Sequence, residues 1–187
     1  MIGGGAFGWA PGEWTDDTQM ALAILGVLAT GSTDAGEVEA AFRRWHASGP
    51  ADVGNQTRAV LSRPGSLAEA ARRRYESQPG SSAGNGSLMR TGPVGLAHPR
   101  DPASVAALAC DLSSLTHADP DCVDACVLWS VAIDHTIYHA PPSDQPWDWT
   151  GSLRSALVQL EPERQNRWAT LIAEAADAQP TDFTRNG

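Results

Sequence analysis

Apolar residues recur along this chain at helical spacing, and no period-two run of β-branched residues stands between turns, so the pattern predicts helices and no strands. Residues 3–12 read as loop, because Gly and Pro at that density oppose both helix and ladder. A first helix is predicted over residues 18–29, where Met20, Leu22, Ile24, Leu25, Val27 and Leu28 leave no polar face and call for a central, buried place. Gly31 ends it. Asp34 with Glu37 resembles a capping box for a second helix through Ala40, Phe42 and Trp45, stopped by Gly49-Pro50. A short helix over 53–61 is closed by Pro64, and Ser66 with Glu69 start another toward Tyr75. A flexible stretch of small residues then leads into an apolar segment over 88–96. Asp101-Pro102 opens a helix over 103–114, and Asp119-Pro120 opens the longest, 121–138, with Val123, Val127, Val131 and Ile133 as buried candidates. Residues 141–150 read as a long loop, helices follow over 151–160 and 162–178, and 181–187 carry no clear pattern. With no repeat at solenoid periods, the expectation is one all-α domain over 1–187, a compact multi-helix bundle.

Composition narrows the class. At 187 residues the chain can bury a real core, since a ~150-residue domain already hides roughly 70% of its unfolded surface. A net charge of -9 argues against a nucleic-acid surface, which needs clustered cations to neutralise phosphates. Three cysteines, Cys110, Cys122 and Cys126, form no even disulfide framework and fit a reducing compartment. The first five residues lack a signal peptide's basic and apolar segments, and no run approaches the ~18 apolar residues of a membrane span. A soluble, cytoplasmic protein is expected.

Candidate chemistry begins at Thr15-Asp16-Asp17-Thr18, directly ahead of the first helix. Two adjacent carboxylates flanked by hydroxyls suit a hard cation such as Mg²⁺ or Mn²⁺; alternatively Thr15 or Asp16 caps the helix. Gly84-Asn85-Gly86-Ser87 ahead of Leu88 presents either a helix start whose amides favour an anion, with Asn85, Ser87 and the charge of Arg90 adding to it, or a connecting loop with Ser87 as N-cap. His117, at a corner between helices, is either a substrate contact or a C-terminal cap. Arg72-Arg73-Arg74 reads as a solvated face, and Cys122 and Cys126, four apart on a helix, as small buried hydrophobes, helical spacing being poor for structural zinc.

Three segments together resemble the ADP-ribosylglycohydrolase family: residues 12–20 around Trp14-Thr15-Asp16-Asp17-Thr18, residues 84–90 with Pro93, and Leu115-Thr116-His117-Ala118-Asp119-Pro120. The resemblance implies an all-α bundle holding two Mg²⁺ (or Mn²⁺) ions and hydrolysing the glycosidic bond between ADP-ribose and a protein side chain or a small molecule. It implies Thr15, Asp16 and Asp17 as metal ligands, with the activated water near the two carboxylates. Asn85, Gly86, Ser87 and Arg90 would line the ADP-ribose site, and His117 would lie near the substrate ribose. Two family features have no counterpart here: a Glu-bearing helix ahead of the Asp doublet, and a late Asp-x-Asp segment completing the metal shell. The chain is therefore expected to be the central portion of a family domain, incomplete at both ends, with slight or no hydrolysis of its own. Glu13, nearby in sequence, is either a substitute base or a solvent-facing loop residue. An inactive ADP-ribose-binding module and a non-functional fragment are the alternatives to an enzyme.

Overall fold

Local caps place most of the helices. In the computed structural model, which describes residues 2–5, 7–139 and 148–179, the helices are α1 Asp16–Leu28, α2 Ala35–Ala47, α3 Asn55–Leu61, α4 Leu67–Ser77, α5 Pro102–Ser114, α6 Pro120–Tyr138, α7 Trp149–Ala156 and α8 Pro162–Asp177. Asp34 accepts from the Gly36 amide at 2.6 Å, Ser66 from Glu69 at 3.4 Å, Asp101 from Ser104 at 3.1 Å and Asp119 from Asp121 at 2.8 Å, so orphan amides at four starts find the predicted partners. Neither capping box closes in the reciprocal sense: the Asp34 amide donates to Ser32 Oγ at 3.2 Å, and Glu69 pairs with Arg73 at 2.9 Å. No strand occurs among the described residues, in agreement with the all-α expectation. The opening loop nevertheless makes one bridge, Gly4 with Trp9, closed by bonds of 2.8 and 2.9 Å. Gly3 permits it at φ +76°, since an added Cβ would lie 2.6 Å from the Trp9 carbonyl oxygen. Most of the expected 141–150 loop and all of 181–187 lie outside the described residues.

The central helix is α6, packed by α5, by α7 and by residues 92–96; α1 lies on α2 and on the 88–96 segment, and α8 on α7. Met20, Ile24, Val38, Phe42, Leu67, Val105, Leu112, Cys126 and Val131 are among the core side chains that join these layers. Cys122 and Cys126 are buried and unbridged, as small hydrophobes should be, while Cys110 is half-buried. Val127 and Val131 of the predicted set are buried, whereas Val123 and Ile133 are only half so.

Two expectations are corrected. The first helix does have an outer face: Leu22 and Leu25 are 42% and 40% exposed, because its neighbours cover only the Met20–Ile24–Val27 side. The 88–96 segment is no α-helix but two short 3₁₀ turns, Leu88–Arg90 and Gly92–Leu96. Gly92-Pro93 explains this, since Pro supplies no amide and disfavours α geometry in the residue before it.

Candidate functional site

A cleft of about 480 Å³ is lined by residues from four parts of the chain: Asp16 and Asp17 of α1, Asp52 with residues 54–57 at the start of α3, Ser81 and residues 83–86 with Met89, and His117. The sequence-predicted Asp16, Asp17, Asn85, Gly86 and His117 thus meet around one opening. Ser87, Arg90 and Thr15 do not line it.

The capping alternative accounts for only one contact of the acidic pair, Asp16 Oδ1 accepting from the Asp17 amide at 3.1 Å. Thr15 occupies the N-cap position, yet its hydroxyl accepts no helix amide and donates instead to Asp17 Oδ2 at 2.9 Å. Asp16 and Asp17 fall inside the first turn, where the helix dipole favours negative charge. Asp16 is 7% exposed, and its carboxyl is pushed up to about 6, first by burial and then by the negative charges of Asp52 and Asp17. None of the ion pairs among the described residues includes Asp16, Asp17 or Asp52. This oxygen-only, charge-rich set suits a hard cation in kind. In number it falls short: among the described residues no group of three or more His, Cys, Asp or Glu is arranged to hold a metal ion.

The loop opposite is held from behind. Cys122 Sγ donates to the Gly84 carbonyl at 3.3 Å, and Cys126 Sγ to Ser87 Oγ at 3.4 Å. Ser87, 1% exposed, also accepts from Ser113 Oγ at 3.0 Å, so it neither caps a helix nor faces the cleft. Arg90 departs furthest from its expected role. It is 1% exposed, donates to Leu112 O and Thr116 Oγ1, and lies 4.3 Å from the Phe42 ring centroid. Burial lowers its guanidinium to about 10, which leaves it charged at neutral pH. Only a three-residue 3₁₀ turn starts at Leu88, too short to aim a helix dipole at a phosphate.

His117 both follows the end of α5 and lines the cleft. Its amide donates to Ser113 O at 2.8 Å beyond the end of α5, while its ring reaches the cleft. The imidazole is depressed to about 3, by burial and then by the Arg90 charge, and is therefore neutral. Gly86 is required beside it: an added Cβ would lie 2.8 Å from Cε1 and 3.0 Å from Nε2. Glu13 stands apart, exposed and accepting from the Ala10 amide at 2.8 Å.

Sequence reasoning missed Asp52, Gln56 and Thr57. They lie at and just before the start of a seven-residue helix with no motif of its own. Gln56 is fixed between two partners, donating to Thr116 O at 2.9 Å and accepting from Arg74 Nε at 2.5 Å. The arginine run is thus only partly a solvated face. A second cleft of about 450 Å³ is lined by Arg63, Arg73 and Arg74, with Ala59 of α3 and Ala70 of α4.

An all-α bundle thus sets an acidic pair, an Asn-Gly loop and a buried His around one cleft. The ADP-ribosylglycohydrolase family model matches residues 1–186, and the chain belongs to that family. It is 35% identical over 136 residues to an ADP-ribosylarginine hydrolase of Pseudomonas putida, covering 68% of this chain and 36% of the relative. It is 33% identical over 138 residues to the ADP-ribosyl-[dinitrogen reductase] glycohydrolase of Rhodospirillum rubrum, covering 73% and 46%. A protein of Acanthamoeba polyphaga mimivirus that carries an ADP-ribosyl glycohydrolase name is 36% identical over 146 residues, covering 73% and 43%. The chain therefore spans less than half the length of these curated relatives.

Proposed function

We propose that this chain carries the ligand-binding half of an enzyme that hydrolyses the glycosidic bond between ADP-ribose and a protein side chain, arginine first among the acceptors. The observation that carries the reading is the convergence of Asp16, Asp17, Asp52, Asn85 and His117 on one cleft of ligand size. The names of the Pseudomonas and Rhodospirillum relatives support a protein-linked substrate; a small-molecule conjugate of ADP-ribose offers the same chemistry.

Asp16 and Asp17 would provide oxygen donors from the cleft to Mg²⁺ or Mn²⁺, two ions in the family's arrangement, with Thr15, bonded to Asp17 and off the cleft lining, as the third donor the resemblance implies. Such an ion supplies Lewis-acid polarisation and a more acidic water at neutral pH. The chain's own residues bind and orient. Asp52 offers an acceptor to a ribose hydroxyl, Asn85 and the amides of residues 85 and 86 offer donors to phosphate oxygens, and His117 closes the inner wall. The cytoplasm, where nucleotides and intracellular ADP-ribosylated proteins occur, is the proposed location; no described helix is long and apolar enough to cross a membrane.

A second reading, an ADP-ribose-binding module without turnover, is favoured by the absence of a three-ligand metal group among the described residues. Calorimetry with ADP-ribose, with and without Mg²⁺ or Mn²⁺, is run beside an assay for ADP-ribose release from ADP-ribosylated arginine. Metal-dependent binding, weakened at least about tenfold in Asp16→Ala, is expected. Release that is lost in the same variant marks the enzyme, and binding with no release marks the module. No binding under either condition would sink both readings.

A further inference from the structure

We propose that Arg90 and Thr116 are positioning residues that lock His117 in a single neutral tautomer, with its hydrogen on Nε2. Arginine has donors only, and Arg90 donates to Thr116 Oγ1 at 2.7 Å. Thr116 is fully buried, and its hydroxyl oxygen also lies 2.8 Å from His117 Nδ1. A hydroxyl has one hydrogen to give and two lone pairs with which to receive.

Only two arrangements connect these three groups. In one, Oγ1 accepts from Arg90 and donates its own hydrogen to an unprotonated Nδ1, so every group is satisfied. In the other, Nδ1–H donates to Oγ1, which then accepts twice and leaves the threonine hydrogen without an acceptor in a place water does not reach. An orphaned buried donor of this kind disfavours the second arrangement by about tenfold or more. The positive guanidinium also favours a lone pair over an N–H at Nδ1. Protonation of both nitrogens is opposed by burial and by the same charge.

The relay is held rigid. Gln56 Nε2 donates to the Thr116 carbonyl at 2.9 Å, and the His117 amide donates to Ser113 O at 2.8 Å. Beyond the ring, Gly86 leaves room beside Nε2, and Thr57 lines the same part of the cleft. His117 therefore presents a fixed donor. The ligand atom it meets is an acceptor oxygen, of a phosphate or of a ribose, and the imidazole is not a general base at neutral pH. The choice of ligand rests on the functional reading above; the tautomer does not.

The test is long-range ¹H–¹⁵N correlation on the ¹⁵N-histidine-labelled protein between about pH 5.5 and 8, the range in which an ordinary histidine titrates. The expected pattern for His117 is a protonated Nε2 and an unprotonated, hydrogen-bonded Nδ1 that do not change across the range. Thr116→Val removes the relay and is expected to give Nδ1–H or a mixture, and Thr116→Ser to restore the original pattern. An Nδ1–H signature in the unmodified protein overturns the proposal without any variant having to fold, and so does an unchanged pattern in Thr116→Val. ADP-ribose is titrated in parallel: failure to bind removes the ligand reading and leaves the tautomer result standing.

Discussion

Arg90 and Asp16 are charged side chains that the fold treats in opposite ways. Arg90 is buried with its donors used on Leu112 O and Thr116 Oγ1, and with an aromatic ring beneath it, so its charge is accommodated. Asp16 is nearly as buried but stands among other carboxylates with no cationic partner. The consequence appears in pH dependence. The Asp16 carboxyl lies at about 6 in the fold against 3.8 for the ordinary group, so the folded state holds the extra proton and this stability is lost as pH rises from about 4 through 6. His117 works in the other direction: at about 3 in the fold against 6.5, it leaves stability intact above 6.5 and removes it as pH falls toward 3. Asp16→Asn is therefore expected to stabilise the metal-free protein at pH 7.5, by on the order of 1 kcal/mol after solvent screening at the cleft mouth, with little change near pH 4. Urea unfolding at the two pH values measures it; equal effects at both would contradict the carboxylate repulsion.

Among the elements, α8 is tied to α6 by a compact polar group. Arg164 bonds Asp124 through Nε and Asp121 at 2.5 Å, Trp168 Nε1 donates to Asp124 Oδ2 at 2.7 Å, and Arg167 reaches Asp121 at 2.6 Å. Asp124 is only 8% exposed, so its loss would leave the Arg164 Nε–H and the Trp168 indole N–H without their acceptor. Asp124→Ala is expected to cost about 2–3 kcal/mol, and Arg167→Ala, at the exposed rim, less than about 1 kcal/mol. Chemical denaturation compares the two, and equal losses would remove the distinction. Helix starts were legible in the sequence because a cap is a contact within three residues, as at Asp34, Ser66, Asp101 and Asp119. The outer face of α1 was not, since an all-apolar helix does not declare which side its neighbours cover.

For the molecule as a whole, the cleft exists only where four segments far apart in sequence come together. A ligand that fills it should slow amide hydrogen exchange in residues 52–57, 81–86 and 116–117 together. Protection confined to one of them on adding ADP-ribose and Mg²⁺ would show that the cleft does not act as one site. The chain's match to less than half the length of its relatives makes this a direct measure of what these residues do by themselves.

The sequence by itself determined the helices, their caps, the all-α class and the family, along with Asp16, Asp17, Asn85, Gly86 and His117 as residues of interest. These are written in local spacing and in short motifs, where cause and effect lie within a few residues. Tertiary structure alone decided that Asp52, Gln56 and Thr57 join the cleft and that Ser87 and Arg90 stand behind it. Those assignments depend on which buried donors find acceptors across 20 to 60 positions of sequence, from Arg90 to Leu112 and Thr116 and from Gln56 to Thr116. No local pattern encodes such pairings, because only close packing forces each buried polar group to choose its partner.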